Sequence, residues 1–524
     1  MNAAQSMITV SDVAAVALAI VGPRHASKAE KALASPSKNA SLVRAVRNEI
    51  ANGGDPLGDA FIAARAAEER REAGAVYTPK AMIDAMLSWA FSNGTPDRVV
   101  DPGCGSGRFA VAAGRLWPEA KIVAIDFDPL ATIMTKAALT VHRMLDRADV
   151  QQTSYLDAEV PAIAGRTYFI GNPPYVRHHG IAAADKEWLV RSTTSLGSKA
   201  SGLSGLHIYF FIRTQQLARR GDVGVFVTSS EWLDVNYGQA LRQLLAGQLG
   251  GESVHVVDPA ALPFDDAMTT AAITCFRPCT ASTGIRFHQV RTSGDLGDLR
   301  KGKLIKPAEA RSSRKWTNAG APMIVRNSNH IELGEIARVS RGQVTGSNSA
   351  WIDGAHAKGV PDRFKVPCVT RAKELISAGL ALSDPAKLKR LINLPTDLST
   401  LTAAERRGLE PFLDWCRKEG VPDGYVASHR KAWHAIGLYE PAPILCTYMA
   451  RRAPVFVRNL AGARHINIAH GIYPRQKMSE AELMDLVARL NACVRVESGR
   501  TYAGGLTKFE PKEIERIVIP AMGA

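Results

Sequence analysis

The chain has 524 residues, 46% hydrophobic and 22% charged, with a formal net charge of +15 and seven scattered cysteines. This length exceeds what one hydrophobic core supports, the cysteines form no Cys-x-x-Cys pair, and no apolar run approaches the roughly 20 residues that cross a bilayer. We therefore expect a cytoplasmic protein of two large domains and a smaller appendage, without a membrane partner, a disulfide framework or a bound metal.

Residues 1–72 form the first predicted region. They are rich in alanine, space their apolar residues as a helix does, and end in a charged run at 68–72, which predicts a small helical cap. From residue 74 to residue 276 short apolar strands alternate with helices, and this alternation predicts an α/β fold with a doubly wound, mostly parallel sheet. The predicted strands are 98–100, 121–125, 168–170, 223–228 and 253–257.

A glycine-rich turn follows the first predicted strand and precedes a helix. Asp101 stands two residues ahead of Gly103, Gly105 and Gly107, which alternate along the turn. The glycines let a ligand approach the backbone, and the N–H groups at the tip of the next helix can bind a carboxylate. Dinucleotide sites have the different spacing Gly-x-Gly-x-x-Gly, so the turn favours a methionine-type cofactor over NAD.

The second predicted strand ends at Asp126, at the sheet edge where open α/β folds bind their ligands. An acid there can hold two ribose hydroxyls. The alternative is a helix cap, a role that we assign to Asp128 because it precedes Pro129. We therefore predict that Asp126, with Phe127 beside it, belongs to the cofactor site.

The most informative stretch is Asn172-Pro173-Pro174-Tyr175, directly after the strand 168–170. Two prolines cannot extend a central strand, so they fix the chain just outside the sheet and direct Asn172 and the Pro173 carbonyl at one point. Both groups accept hydrogen bonds and can favour the reactive form of an aryl amine. Tyr175 offers a flat face to a base removed from its stack. The alternative is a proline turn with a packed tyrosine.

These motifs resemble the adenine-specific DNA methyltransferases of restriction-modification systems, in the gamma arrangement. The similar blocks, in chain order, are 74–79, 101–107, Asp126, 172–175, 204–211, 224–233 and 236–242. The resemblance implies the cofactor S-adenosylmethionine, with its methionine end near Tyr77, Thr78 and Pro79 and its amino group on Asp101. It also implies that Asn172 binds the amine of a flipped adenine.

The chain departs from the family pattern at Ser154 and Thr167, where the family often has acids. Asp157 is a weak substitute for the first. Tyr237 is the candidate for a second aromatic on the target base, or else it packs under its loop. His178 and His179 follow the tetrapeptide without a third metal ligand, so we expect them to be solvated or to face DNA.

The positive charge is concentrated late in the chain. Residues 1–280 hold 27 basic and 27 acidic side chains, whereas residues 281–524 hold 38 and 23. This asymmetry predicts a catalytic part joined to a part that binds a polyanion, with a merely soluble basic surface as the alternative. Residues 281–325, rich in Lys, Arg, Gly and Ser, are predicted to be a connecting stretch.

Residues beyond 326 resemble the target-recognition region of the same family and predict double-stranded DNA as the partner. The candidate DNA contacts are Arg341, Thr345, Asn348, Arg464, Asn467 and Lys508. The predicted domains are thus a helical region at 1–72, a catalytic domain at 73–325 and an α+β target-recognition domain at 326–524. No nuclease motif is visible, so a cognate restriction endonuclease would be a separate chain.

Several alternatives stay open from the sequence. The same tetrapeptide serves methyltransferases that act on cytosine amines, on RNA or on protein glutamine, although a basic tail of about 200 residues is unusual in the RNA and protein enzymes. A non-catalytic DNA-binding subunit would also keep the fold. The intact Asn172 and the three glycines argue against that last alternative.

Overall fold

The computed structural model describes residues 3–64, 78–258, 270–313, 315–317, 330–450, 452–496, 499–502 and 506–521. They divide into two compact units, Met1–Pro322 and Met323–Ala524. Within these described ranges, no helix combines the length and the hydropathy that crossing a membrane requires.

The first unit begins with four α-helices, Val10–Val21, Lys28–Leu33, Ala40–Ala51 and Pro56–Ala64. Their apolar faces form one core with the helix Pro129–Val141. A buried carboxylate, Glu30, fastens the two parts: it accepts a hydrogen bond from Thr132 at 2.7 Å and pairs with Lys136 at 2.9 Å. The predicted helical N-terminal region is confirmed.

A nine-stranded sheet forms the centre of this unit. Its strands are β1 Arg98–Pro102, β2 Lys121–Asp126, β3 Ala148–Gln152, β4 Thr167–Gly171, β5 Val223–Ser229, β6 Gly251–Val257, β7 Ala271–Phe276, β8 Ile285–Val290 and β9 Lys303–Ile305. Their order is β3-β2-β1-β4-β5-β7-β6-β8-β9, with five parallel and three antiparallel pairings. The predicted mostly parallel α/β sheet is therefore confirmed.

Helices cover both faces of the sheet because successive side chains of a buried strand point to opposite sides. Tyr168 and Ile170 face the core that contains helix Lys80–Phe91, whereas Phe169 between them faces the core that contains helix Leu206–Leu217. The other helices of the unit are Arg108–Leu116, Ala183–Ser195, Gln239–Leu245 and Pro307–Ser312. The carboxyl ends of β1, β2, β4 and β5 meet at one edge.

The stretch 281–325 is more than the connection that its composition suggested. It supplies β8, β9, a short helix and Trp316, which is fully buried in the core of the catalytic sheet. The strand signal is weak because only one face of β8 is buried: Ile285 and Phe287 point inward, and Arg286 between them is exposed. A half-buried strand of this kind resembles a polar linker in composition.

The described residues of the second unit form four small sheets. Their strands are β10 His330–Glu332, β11 Ala337–Arg341, β12 Lys365–Val369, β13 Ala381–Leu382, β14 Lys389–Ile392, β15 Ile444–Thr447, β16 Met449–Ala450, β17 Phe456–Asn459, β18 Arg464–His465, β19 Ala469–Pro474, β20 Arg500–Tyr502, β21 Leu506–Lys508 and β22 Val518–Pro520. The sheet orders are β11-β19-β15-β17-β13, β14-β12-β18, β16-β21-β20 and β10-β22.

The helices of the second unit are Leu333–Ile336, Asn348–Trp351, Ala372–Ile376, Ala403–Lys418, Tyr425–Ser428, Glu480–Cys493 and Pro511–Glu515. Glu480–Cys493 packs on the five-stranded sheet, and Ala403–Lys418 contributes to a separate core with Trp351. The unit thus mixes strands and helices, as the sequence predicted for the C-terminal part.

Candidate active site

The glycine turn after β1 has a backbone that other residues rarely adopt. Gly103, Gly105 and Gly107 all have positive φ, at 75°, 55° and 88°. A Cβ added to Gly105 would meet no atom within 4 Å, so the turn faces open space there. The turn therefore exposes its backbone at the carboxyl edge of the sheet, where a ligand can reach it.

Asp101, the last but one residue of β1, is 1% exposed. Its Oδ2 accepts a hydrogen bond from the backbone N–H of Ala110 at 3.0 Å, and its Oδ1 has no partner among the residues that the structure describes. Burial raises the pKa of Asp101 to about 8. A buried carboxylate oxygen without a partner suits a cationic ligand, which fits the amino group that the resemblance implies.

Asp126, at the end of β2, holds the glycine turn in place. Its carboxylate accepts hydrogen bonds from the N–H groups of Gly105 and Asp128, each at 3.0 Å. Burial raises the pKa of Asp126 to about 6. Each oxygen keeps a second lone pair for a hydroxyl ligand. Phe127 beside it is 62% exposed, and Asp128 caps the next helix through Leu130.

The tetrapeptide that follows β4 lies against this turn. A Cβ on Gly103 would lie 3.6 Å from Pro174 Cδ and 3.7 Å from the carbonyl oxygen of Asn172. A Cβ on Gly171 would lie 3.0 Å from Asp101 Oδ1. The structure therefore brings the glycine turn, its acid and the tetrapeptide together, although they are about 70 residues apart in the chain.

The side-chain amide of Asn172 has a defined partner. Its Nδ2 donates a hydrogen bond to the hydroxyl of Thr78 at 3.1 Å, and Thr78 is 4% exposed. Pro79 is half-buried and precedes helix Lys80–Phe91. Tyr77, the third predicted residue of this block, lies outside the described residues.

The two candidate aromatics have different surroundings. The Tyr175 side chain is half-buried, and its hydroxyl is enclosed without a hydrogen-bond partner in the described part of the chain. Burial raises the pKa of Tyr175 well above its usual value. Tyr237 donates from its hydroxyl to Glu231 at 3.1 Å and packs against the core. The polar and packing contacts of Tyr237 agree with the packed alternative for that residue.

Sequence reasoning missed a set of charged residues around the turn. Asp55, from the N-terminal helices, accepts hydrogen bonds from Ser106 Oγ at 2.5 Å and from Arg108 Nε at 2.6 Å. Arg108 also donates to Asp59 at 3.0 Å and to the Thr78 carbonyl at 3.3 Å. The predicted helical cap thus supports the glycine turn. Asp55 lies 53 residues before Arg108 in the chain, so no local sequence pattern indicates that the two side chains pair.

At the two departures from the family pattern, the side chains have structural roles. The Ser154 hydroxyl accepts a hydrogen bond from the N–H of Leu156 at 3.2 Å. Thr167 is buried and accepts from Arg98 at 3.0 Å, while its N–H donates to Asp222 at 2.7 Å. An acid is therefore present beside Thr167, but it comes from Asp222, the residue before β5.

In the second unit, two of the predicted DNA-contact segments lie side by side. The N–H of Asn467 donates to the Gln343 carbonyl at 3.0 Å, and a Cβ on Gly342 would lie 2.0 Å from the Ile466 carbonyl oxygen. Arg341 and Asn348 in the first segment are exposed, and Asn467 in the second is half-buried.

The structure corrects one of the predicted DNA contacts and gives two others protein partners. Thr345 is 2% exposed and donates its hydroxyl to Asn348, so it supports the loop and does not face solvent. The Arg464 guanidinium is held by Glu440 at 3.2 Å, and Lys508 pairs with Glu510 at 2.5 Å. The partner of Arg464 lies 24 residues away in the chain, whereas the partners of Thr345 and Lys508 lie three and two residues away.

An exposed aromatic residue that the sequence analysis did not single out lies on a helical segment next to the loop 341–348. Tyr425 is 80% exposed, and its ring lies 4.4 Å from the His429 ring, centroid to centroid. Arg430 donates to the Val344 carbonyl at 2.8 Å, which ties this short helical segment to the loop 341–348. The run of basic residues His429, Arg430 and Lys431 was the sequence feature that could have indicated this segment as a candidate DNA contact.

Comparison with known proteins agrees with this arrangement. Residues 120–256 match the model described as Eco57I restriction-modification methylase, and residues 322–524 match Type II methyltransferase M.Eco57I, C-terminal domain. The chain is 46% identical over 530 residues to Type II methyltransferase M.XamI of Xanthomonas campestris pv. amaranthicola, with 99% of each chain covered.

Two further similarities are more distant. A 118-residue match, 34% identical, covers 22% of this chain and 49% of the tRNA1(Val) (adenine(37)-N6)-methyltransferase of Shewanella amazonensis. The crystal structure of the type IIG restriction endonuclease BpuSI is 16% identical, with a TM-score of 0.48 over 99% of this chain and 71% of that one. On its full-length identity to M.XamI, the chain belongs to the Eco57I family of Type II restriction-modification DNA methyltransferases.

Proposed function

We propose that this protein transfers a methyl group from S-adenosylmethionine to the exocyclic N6 amine of adenine in duplex DNA, with the base flipped out of the helix. The observation that supports this most is the meeting of Gly103 with Asn172 and Pro174 at one sheet edge. The glycine turn proposed to bind the cofactor then lies next to the two groups proposed to accept the target amine. Direct transfer of a methyl group between two bound molecules requires such proximity.

The residues around the turn fit the cofactor. S-adenosylmethionine supplies, when bound, a methyl group on a positively charged sulfur. Asp101 presents a buried carboxylate oxygen to its amino group, Asp126 accepts from its ribose hydroxyls, and the exposed Phe127 ring offers an apolar surface to its adenine. Pro79 and Thr78 border the same edge.

The tetrapeptide acts on the target amine. An aryl amine is a poor nucleophile because its lone pair is delocalised into the ring, and two acceptors on its N–H groups favour the pyramidal form. Because Asn172 donates from Nδ2 to Thr78, its Oδ1 is directed away from Thr78 and serves as one acceptor. The Pro173 carbonyl is the other. The Tyr175 ring stacks on the flipped base, worth about 1 to 3 kcal/mol.

DNA recognition is assigned to the unit Met323–Ala524, and catalysis to Met1–Pro322. Exposed Arg341 and Asn348, with the partly exposed Asn467, Arg464 and Lys508, are the candidates for base or phosphate contact. Buried Thr345 supports the loop through its hydrogen bond to Asn348. Cleavage of unmodified DNA would belong to a separate cognate endonuclease.

Adenine is favoured over cytosine because a relative matched over 118 residues is an adenine-N6 methyltransferase. The cytosine amine could meet the same two acceptors, so the product must be identified. Duplex DNA methylated with labelled cofactor, digested to nucleosides and separated by chromatography should carry its label in N6-methyldeoxyadenosine. Label in N4-methyldeoxycytidine would reject the adenine assignment and leave the acceptor geometry intact.

A further inference from the structure

The far edge of the catalytic sheet is strongly basic. Between residues 286 and 306 there are six basic side chains and two acidic ones. All six basic side chains are exposed: Arg286, Arg291, Arg300, Lys301, Lys303 and Lys306. This concentration lies in the unit of the glycine turn and the tetrapeptide, and not in the unit to which we assigned DNA recognition.

Strand register places part of this edge in line with the tetrapeptide. Gly171, next to Asn172, begins a row of paired residues that crosses the sheet to Lys303 through Phe226, Thr274, Val254 and Phe287. The row spans five strand spacings of about 4.8 Å, or roughly 24 Å. Because β8 is parallel to β6, Arg291 leaves β8 at the same sheet edge at which Asn172 leaves β4.

The loop before β9 is anchored to the sheet. The Leu299 carbonyl accepts hydrogen bonds from Ser253 Oγ and His255 Nε2 of β6, each at 2.7 Å. Burial lowers the pKa of His255 to about 4, so its ring is neutral at physiological pH. Arg300 and Lys301 therefore extend from a fixed backbone, and fixing it in advance lowers the entropy lost on binding.

The two acids of this stretch serve its turns. Asp295 accepts hydrogen bonds from the N–H groups of Arg291 and Thr292, both at 2.9 Å, and Asp298 accepts from the N–H of Arg300 at 2.9 Å. Arg300 also lies 3.5 Å from Asp298. Six basic side chains thus stand against two acids that are engaged in turns, and a regularly spaced polyanion complements this excess of positive charge.

We propose that a strip on the β8–β9 edge of the catalytic unit binds the DNA backbone on one side of the target base, through Arg291, Arg300, Lys301 and Lys303. The inference rests on the proposed function, since it requires a duplex whose target base lies at Asn172. At 3.4 Å per base pair, the 24 Å from Gly171 to Lys303 corresponds to roughly seven base pairs. The strip then contacts phosphates about seven base pairs from the target.

The test uses the full chain with R291Q, R300Q, K301Q and K303Q combined, and the dependence of its DNA affinity on salt. If all four side chains contact phosphates, the slope of log K against log salt should become shallower by about 3.6, at about 0.9 per contact. The ratio of affinities for specific and scrambled duplexes should not change, because phosphate contacts carry no sequence information. The matched control is R44Q/R47Q, two exposed arginines on helix Ala40–Ala51, whose slope should equal that of the wild type.

Flank length gives an independent readout. Wild-type affinity should fall when the duplex ends about four base pairs from the target on one side, compared with about twelve, and the quadruple variant should bind both duplexes equally. A wild-type slope in the quadruple variant, or an equal loss in the arginine control, would overturn the proposal. If the quadruple variant melts earlier than the wild type, R291K/R300K/K301R/K303R should restore the slope because it keeps the charge.

This result is separable from failure of the proposed function. If the wild-type chain formed no N6-methyldeoxyadenosine at low salt, the proposed chemistry would be rejected, regardless of the salt dependence of DNA binding by the quadruple variant. If methylation persisted and the slope of the quadruple variant matched the wild type, only the strip would be rejected.

Discussion

Asn172 donates its side-chain amide nitrogen to the hydroxyl of Thr78, 3.1 Å away and buried. The Thr78 carbonyl in turn accepts from Arg108, and Arg108 donates to Asp55. One series of hydrogen bonds thus runs from the N-terminal helices to Asn172, the proposed acceptor of the target amine. With Nδ2 on the Thr78 hydroxyl, Oδ1 is the opposite end of the amide and is the proposed acceptor.

Thr78→Val should lower kcat by about three- to tenfold, since a hydrogen bond contributes about 0.5 to 1.5 kcal/mol and the valine leaves the amide free to turn. Thr78→Ser keeps the hydroxyl and should keep most of the activity. Single-turnover methylation and cofactor binding are measured for both. If valine weakened cofactor binding tenfold without changing the rate at saturation, Thr78 would act on the cofactor and not on Asn172.

Asp101 should make the cofactor-free protein less stable as pH rises. Burial raises its folded-state pKa to about 8, against about 4 in an unfolded chain. Between these values the folded state binds more protons than the unfolded state, so stability falls from about pH 4 to about pH 8.

Asp101→Asn removes this proton uptake. The variant should therefore melt later than the wild type at pH 8, with a difference that shrinks toward pH 4, and should bind S-adenosylmethionine poorly at every pH. Thermal unfolding without cofactor at several pH values checks this. If the difference in melting temperature between Asp101→Asn and the wild type did not vary with pH, the raised pKa of Asp101 would be contradicted.

Tyr175→Phe should retain DNA affinity and activity, because the enclosed hydroxyl has no hydrogen-bond partner among the described residues and only the ring face is required. Tyr175→Ala should weaken binding of the flipped base by about 1 to 3 kcal/mol, roughly five- to 150-fold. Fluorescence of 2-aminopurine at the target position reports base flipping in both variants. Equal losses in Phe and Ala would indicate that the hydroxyl matters.

A fragment that ends at residue 322 should fold and bind S-adenosylmethionine but lose sequence discrimination, because it keeps the whole nine-stranded sheet. A fragment that ends at residue 280 lacks β8, β9 and the buried Trp316, and we expect it to aggregate. Filter binding of the longer fragment to specific and scrambled duplexes measures the loss. Full discrimination by residues 1–322 would place recognition in the first unit.

The sequence was sufficient for five of the nine strands of the sheet and for the positions of its two main motifs. Five strands were predicted because they are short, apolar and bounded by turns, and the glycine turn and tetrapeptide follow two of them directly. Parallel strands bring their carboxyl ends to one edge, so adjacency of the motifs followed from topology.

The parts that the sequence did not predict depend on distant contacts. Asp55 reaches Arg108 across 53 residues, and no periodicity marks such a pair. The burial of Thr345 and the pairing of Arg464 with Glu440 depend on how loops fold back in the second unit. Strand β8 was read as linker because half of its residues face solvent.

The central claim is that Asn172 accepts the N6 amine of adenine, and identification of the methylated nucleoside tests it most directly. Wild-type protein, Asn172→Ala and Asn172→Asp are incubated with labelled S-adenosylmethionine and duplex DNA, and cofactor binding is measured in parallel. We predict label in N6-methyldeoxyadenosine for the wild type, a loss of at least about 100-fold in Asn172→Ala, and near-normal cofactor binding in that variant because the glycine turn is unchanged. Near-normal methyl transfer by Asn172→Ala, or label in a nucleoside other than N6-methyldeoxyadenosine, would contradict the proposed role of Asn172.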